Sequence, residues 1–181
     1  MTENINKPAL LEEEAKDLYK AGKFQQAAEC FSQAAAFYLK EEEYLLAAEM
    51  RNNQSVALLK AKKPHLALDA VRGTDEIFHE AGDLLKEGMA LANQATALKD
   101  LGENQKAIDD FNTAAKIFKN SGEQGMHLQT MQSISALKLK TRNIAGALFS
   151  MQEGLDELEN PNLRQKLLRS LLRIPQNLIN K

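Results

Sequence analysis

The sequence predicts an all-α protein, a right-handed superhelix of stacked helical hairpins in the manner of a solenoid. Three observations carry this: a composition rich in helix formers, apolar residues at helical spacing, and a 40-residue repeat that runs without insertion or deletion.

Composition sets the class. Of 181 residues, 44% are apolar and 27% charged, as in an ordinary folded protein, while aromatics are only 6% and tryptophan is absent. Four prolines and nine glycines leave little material for strands and tight turns. Alanine, leucine, glutamate and lysine dominate, with glutamine also frequent, and these side chains lose little rotamer freedom in a helix. The length suits one domain spanning residues 1–181.

The repeat decides the architecture. Ala27, Ala67, Ala107 and Ala147 stand 40 residues apart. Ala15, Ser55, Ala95 and Ser135 keep the same step and are all small. Phe31, Val71, Phe111 and Met151 are bulky and apolar, as are Tyr38, Phe78, Phe118 and Leu158. Leu11, Leu91 and Met131 form a further column that Arg51 interrupts. Small columns are expected where two helices joined by a short turn must cross closely.

Within a unit the spacing is helical. Phe31, Ala34, Ala35 and Tyr38 follow Ala27 as one stripe, and Leu11, Ala15 and Leu18 form another. Gly22 and Gly102 fall between the stripes, where glycine ends a helix in the left-handed conformation; Lys62 and Arg142 hold the same place elsewhere. Pro64 fits the first turn of a second helix, where its missing N–H costs nothing. The expected units are residues 8–41, 45–81, 84–121 and 124–160. Asn160–Pro161 then reads as the start of a capping helix over 161–173, its leucines covering the fourth hairpin, with a tail over 174–181.

In this form the pattern resembles the tetratricopeptide repeat. Leu11, Ala15, Leu18, Gly22, Phe24, Ala27, Phe31 and Ala34 stand in the order of that family, and the third unit repeats it with Leu91, Ala95, Leu98, Gly102, Ala107, Phe111 and Ala114. The family unit is about 34 residues, so the helix pairs here are expected to run longer. Arg51 departs from the pattern, and the proline that follows the family's second helix is missing from every unit.

The resemblance implies a protein–protein adaptor or scaffold, not an enzyme. It implies a partner peptide or helix in a concave groove lined by the first helices. Carried over by position, that groove holds Lys16, Tyr19 and Lys20 in the first unit and Asn52, Val56, Leu59 and Lys60 in the second. The third contributes Met89, Ala92, Thr96 and Lys99, and the fourth Gln132, Ala136, Leu139 and Lys140. Lys20, Lys60 and Lys140 recur at one position of the unit, either as a ladder for an acidic ligand or as charges that complement helix C-termini. The carboxylate-binding subtype of the family is not matched, because only Asn53 agrees among Glu12, Lys16, Asn53, Met89 and Asn93.

A second resemblance is to the soluble attachment proteins of vesicle fusion, also made of alanine-rich hairpins of roughly 40 residues. Those chains are longer and close on a helical bundle, which ranks this reading second.

Other functions find little support. A net charge of −2 with few aromatics opposes a helical-repeat nucleic-acid binder. His65, His79 and His127 lack ligand spacing, and no nucleophile or phosphate-loop motif is present, so no catalytic, cofactor or metal residues are expected. The acidic triplets Glu12–Glu14 and Glu41–Glu43 read as solvated helix-end charge. Cys30 is alone and reads as a small core residue. No signal-type or membrane-spanning apolar run occurs, so a cytoplasmic location is expected, with self-association through Leu178 and Ile179 left open.

The register has a direct consequence. Ala107→Leu is expected to overpack a helix crossing and cost about 1–3 kcal/mol; a thermal melt matching the parent would contradict it.

Overall fold

A computed structural model describes residues 7–173. Ten helices follow in order: α1 Lys7–Lys20, α2 Phe24–Lys40, α3 Tyr44–Lys60, α4 Pro64–Val71 and α5 Thr74–Glu80, then α6 Leu84–Asp100, α7 Asn104–Asn120, α8 Gln124–Lys140, α9 Ile144–Asp156 and α10 Leu163–Leu172. No strand occurs among the described residues. The chain divides into two compact units, Met1–Asp110 and Phe111–Lys181.

One turn is used throughout. Glu42, Lys62 and Arg142, with Gly22, Gly82, Gly102 and Gly122, all have positive φ and stand 20 residues apart. At the first, the Gly22 amide donates to the Tyr19 carbonyl at 3.0 Å and the Lys23 amide to the Leu18 carbonyl at 2.9 Å. This pair of bonds is the Schellman closure of a helix. The six later turns repeat it, ending with Arg142 to Leu139 and Asn143 to Lys138. Turns within a predicted unit and turns between units are therefore alike, and the true spacing of helix starts is 20. Glycine carries the left-handed residue without a Cβ clash at Gly22 and Gly102, whereas Lys62 and Arg142 sit there at a cost of roughly 1 kcal/mol each.

The small columns lie at the packing surfaces. Ala27, Ala67, Ala107, Ala15, Ser55 and Ala95 have no exposed surface, and Ala147 and Ser135 almost none. In the first unit, Ala15, Ala27, Phe31, Ala34 and Ala35 share one core with Met50, Ala57, Leu58 and Ala67, against which Leu11, Leu18 and the half-buried Cys30 pack. A second core joins Ala48, Val71, Phe78 and Ala90. In the second unit α8 and α9 approach closely at Gly154, where an added Cβ would lie 2.8 Å from the Met131 Cβ. Ser135 donates to the Ala147 carbonyl across that pair at 2.8 Å. Burying a side chain such as Phe78 or Phe118 contributes about 1.5–3 kcal/mol.

Two elements differ from the sequence reading. The second helix of the second hairpin is not continuous: it stops at Val71 and restarts at Thr74, with Gly73 at φ 75°. The break frees carbonyls, and Arg51, the residue that interrupts the apolar column, reaches them. Its guanidinium donates to the carbonyls of Arg72 at 3.0 Å and Asp69 at 3.4 Å. Thr74 Oγ1 satisfies the Val71 carbonyl at 2.7 Å. The column is broken at Arg51 because the helix is broken at Gly73.

The last helix begins at Leu163 rather than Pro161. Asn162 and Gln165 form a capping box, the Gln165 amide donating to Asn162 Oδ1 at 3.0 Å and the Asn162 amide to Gln165 Oε1 at 2.7 Å. Its leucines do not cover the fourth hairpin as expected: Leu163, Leu167 and Leu171 are at least 60% exposed. The tail over 174–181 lies outside the described residues.

Arg51→Leu would restore the apolar column yet remove two hydrogen bonds to carbonyls. It is expected to destabilise the protein by about 0.5–1.5 kcal/mol in urea unfolding; a gain in stability would contradict the role given to Arg51.

Candidate partner-binding site

In the first unit, α1, α2 and α3 enclose a cleft of about 290 Å³ lined by Lys16, Tyr19, Lys20, Phe31, Asn53 and Val56. Four of these are predicted groove residues: Lys16, Tyr19, Lys20 and Val56. Helical spacing explains the set, since Lys16, Tyr19 and Lys20 share one face of α1, as Asn53 and Val56 do of α3. Phe31, from the core of α2, supplies the floor, and Tyr19 is held edge-on to Phe24 with ring centroids 5.2 Å apart.

The charges at this cleft are partly engaged. Lys16 Nζ lies 2.7 Å from Glu12 and 3.0 Å from Glu13, and these hydrogen bonds hold its ammonium well above the usual lysine range. Lys20 pairs with Asp17 at 3.1 Å on an open surface. An exposed pair such as Lys20–Asp17 is worth little. Lys20, Lys60 and Lys140 are each the last residue of their helix, where a cation complements the dipole.

The other predicted residues of the first unit spread along α3 and α6. Asn52 is buried, and its amide oxygen accepts from Asn93 at 2.8 Å, so its side chain clips α3 to α6. Leu59 is half-buried against the core, whereas Lys60 is exposed. Met89, Ala92, Thr96 and Lys99 are all half-buried on α6. Thr96 Oγ1 donates to the Ala92 carbonyl at 2.8 Å, and Lys99 lies 3.8 Å from Asp100. In the second unit Gln132, Ala136, Leu139 and Lys140 form an exposed stripe on α8, Leu139 being 53% exposed.

Three features escape sequence reasoning. Phe31 reads from its spacing only as core, and Asn53 only as a residue of the carboxylate-binding subtype. A larger cleft of about 660 Å³ lies among α2, α3 and α4, with Gln25, Gln33 and Gln54 beside Arg51, Lys63, Glu29 and Asp69, and no predicted groove residue lines it. The Arg51 anomaly is the one signal that points there.

The histidines of α5 and α8 sit in contrasting surroundings. His79 is exposed and stands 3.1 Å from Glu87, in a recess with Asp75, Glu76 and Glu80. His127 is 1% exposed, and neither ring nitrogen meets a protein hydrogen-bond partner. Burial lowers its affinity for a proton, against the attraction of Glu153 and Glu157 and with the repulsion of Lys119. Among the described residues no cluster of His, Cys, Asp and Glu is arranged to hold a metal ion, and no helix is long and apolar enough to cross a membrane.

Folding therefore lowers the proton affinity of His127 below that of the unfolded chain, which protonates near pH 6.5. Its contribution is complete above that pH and declines as pH falls below it. Thermal melts between about pH 7 and 5 are expected to fall more steeply for the parent than for His127→Leu; parallel curves would contradict this.

Comparison with known proteins adds the lineage. Among curated protein sequences no significant match is found. Among solved structures the chain is similar to a Podosopora anserina protein of nearly identical TPR-like repeats, described as a putative kinesin light chain, with 13% identity, a TM-score of 0.53 and 96% of each chain covered. A form of that protein carrying a single substitution matches at the same identity and score over 94% of this chain and 95% of its own. At that identity the likeness shows a TPR-like helical repeat and no more. Residues 3–170 match the family model described as soluble NSF attachment protein, SNAP. The chain belongs to the soluble NSF attachment protein family.

Proposed function

We propose that this protein is a non-enzymatic adaptor of the attachment-protein kind. It grips a helix or extended segment of a protein partner on the free faces of its first helices. The observation that carries the reading is the cleft of α1, α2 and α3, where Tyr19, Phe31 and Val56 offer apolar contact beside the Asn53 amide and the ammonium groups of Lys16 and Lys20. An aromatic anchor beside an apolar wall, with charge near its mouth, is how a partner side chain is seated and oriented.

The family name supports the same reading, because it describes attachment to NSF, and a vesicle-fusion role therefore stands ahead of a general scaffold. The stripe of Gln132, Ala136, Leu139 and Lys140 on α8 offers further contact of the same mixed chemistry.

The test compares pull-downs with the intact chain, a Val56→Asp, Lys20→Glu variant and a Leu139→Asp variant, with circular dichroism as the check on folding. Partner recovery is expected to drop at least about tenfold for the first variant, since a charge placed in an apolar contact costs more than about 1.4 kcal/mol. Undiminished recovery from a folded variant would move the partner to another face.

A further inference from the structure

The last helix is mounted the wrong way round for a cap. In α10 the half-buried positions are Gln165, Arg169 and Leu172, while Leu163, Leu167 and Leu171 are 83%, 62% and 60% exposed. No residue of α10 is buried. Spaced four apart, the three leucines form one stripe along the outer side of the helix.

This orientation is held by charge. Arg169 donates to the Leu155 and Leu158 carbonyls at the end of α9. Its Nε lies 3.0 Å from Asp156, and Arg173 reaches the same carboxylate at 3.2 Å. Turning the leucines inward would break this set. Exposed Arg164 and Lys166 border the stripe on its two sides, and no acidic residue occurs between Glu159 and Arg173.

We propose that α10 is an interfacial helix that lays its leucine stripe on the surface of an anionic lipid bilayer. The feature is a convex ridge rather than a groove, and a bilayer accepts a ridge without a matching cavity. Leucines enter the acyl boundary while flanking cations meet lipid phosphates at headgroup level. A second copy is disfavoured, because pairing α10 with itself would gather the cations of both helices along one seam with no acidic residue of α10 to offset them. This role is independent of the cleft among α1, α2 and α3.

The test is co-sedimentation of the full chain with phosphatidylserine-containing vesicles and with vesicles of phosphatidylcholine alone. Binding is expected to the anionic vesicles only, and to weaken as salt is raised. Leu163→Ser with Leu167→Ser, both at exposed positions, is expected to lower bound protein at least about tenfold. Arg164→Glu with Lys166→Glu should do the same and leaves the leucines in place. The proposal is overturned if the intact chain ignores anionic vesicles, or if both variants bind as the parent does. It is also overturned if α10 instead captures an acidic, leucine-rich helical peptide, or drives a dimer in sedimentation that the leucine variant abolishes.

Discussion

The three-residue left-handed turn is the constraint on which the remainder of this structure depends. With its middle residue at positive φ and two backbone bonds closing the preceding helix, it reverses the chain in the shortest span that satisfies the orphaned carbonyls. Helices joined so tightly run side by side and cross close to the turn. A large side chain there would force them apart, so the crossing positions hold Ala15, Ala27, Ser55 and Ala67, all without exposed surface. Five helices of 17 residues follow from the same spacing of 20.

Where the chain departs from that regularity, a polar group answers the exposed backbone. Gly73 ends α4 early, and Arg51 crosses from α3 to take up the freed carbonyls. At the end of α9, Arg169 performs the same service from α10. The two arginines look alike in role yet differ in consequence. Arg51 replaces one apolar residue inside the packing, whereas Arg169 turns an entire amphipathic helix over. Among the described residues α3 is held by neighbours on several sides, while the principal contact of α10 is with α9.

The ends of the repeat also differ in chemistry. The position filled by buried Ala57 and Ala97 in later first helices is the exposed Asp17 in α1. By contrast Ile144, Leu148 and Phe149 on α9 are between 49% and 63% exposed. Equivalent places earlier in the chain are acidic, buried or half-buried: Glu29, Asp69 and Asp109 match Phe149, Ala28, Leu68 and Ile108 match Leu148, and Phe24, Pro64 and Asn104 match Ile144. Membership of the attachment-protein family explains the hairpin repeat but not this asymmetry, since a fold fixes packing and leaves function to particular surfaces.

Much of the fold was legible in the residues themselves. The 40-residue columns announced the all-helical repeat, and Gly22, Gly102 and Pro64 marked helix ends, because propensity, turn chemistry and periodicity are local properties written into neighbouring positions. Part of the candidate site was legible too: Lys16, Tyr19, Lys20 and Val56 meet in one cleft because their spacing places them on facing helices. Asn52 was placed in the groove by its position, and its burial against Asn93 was not legible, since that contact depends on a residue 41 positions away. The break at Gly73 and the outward leucines of α10 were decided only in three dimensions. Each depends on where a long arginine side chain finds carbonyls from a different helix, and no periodicity along the chain encodes that meeting.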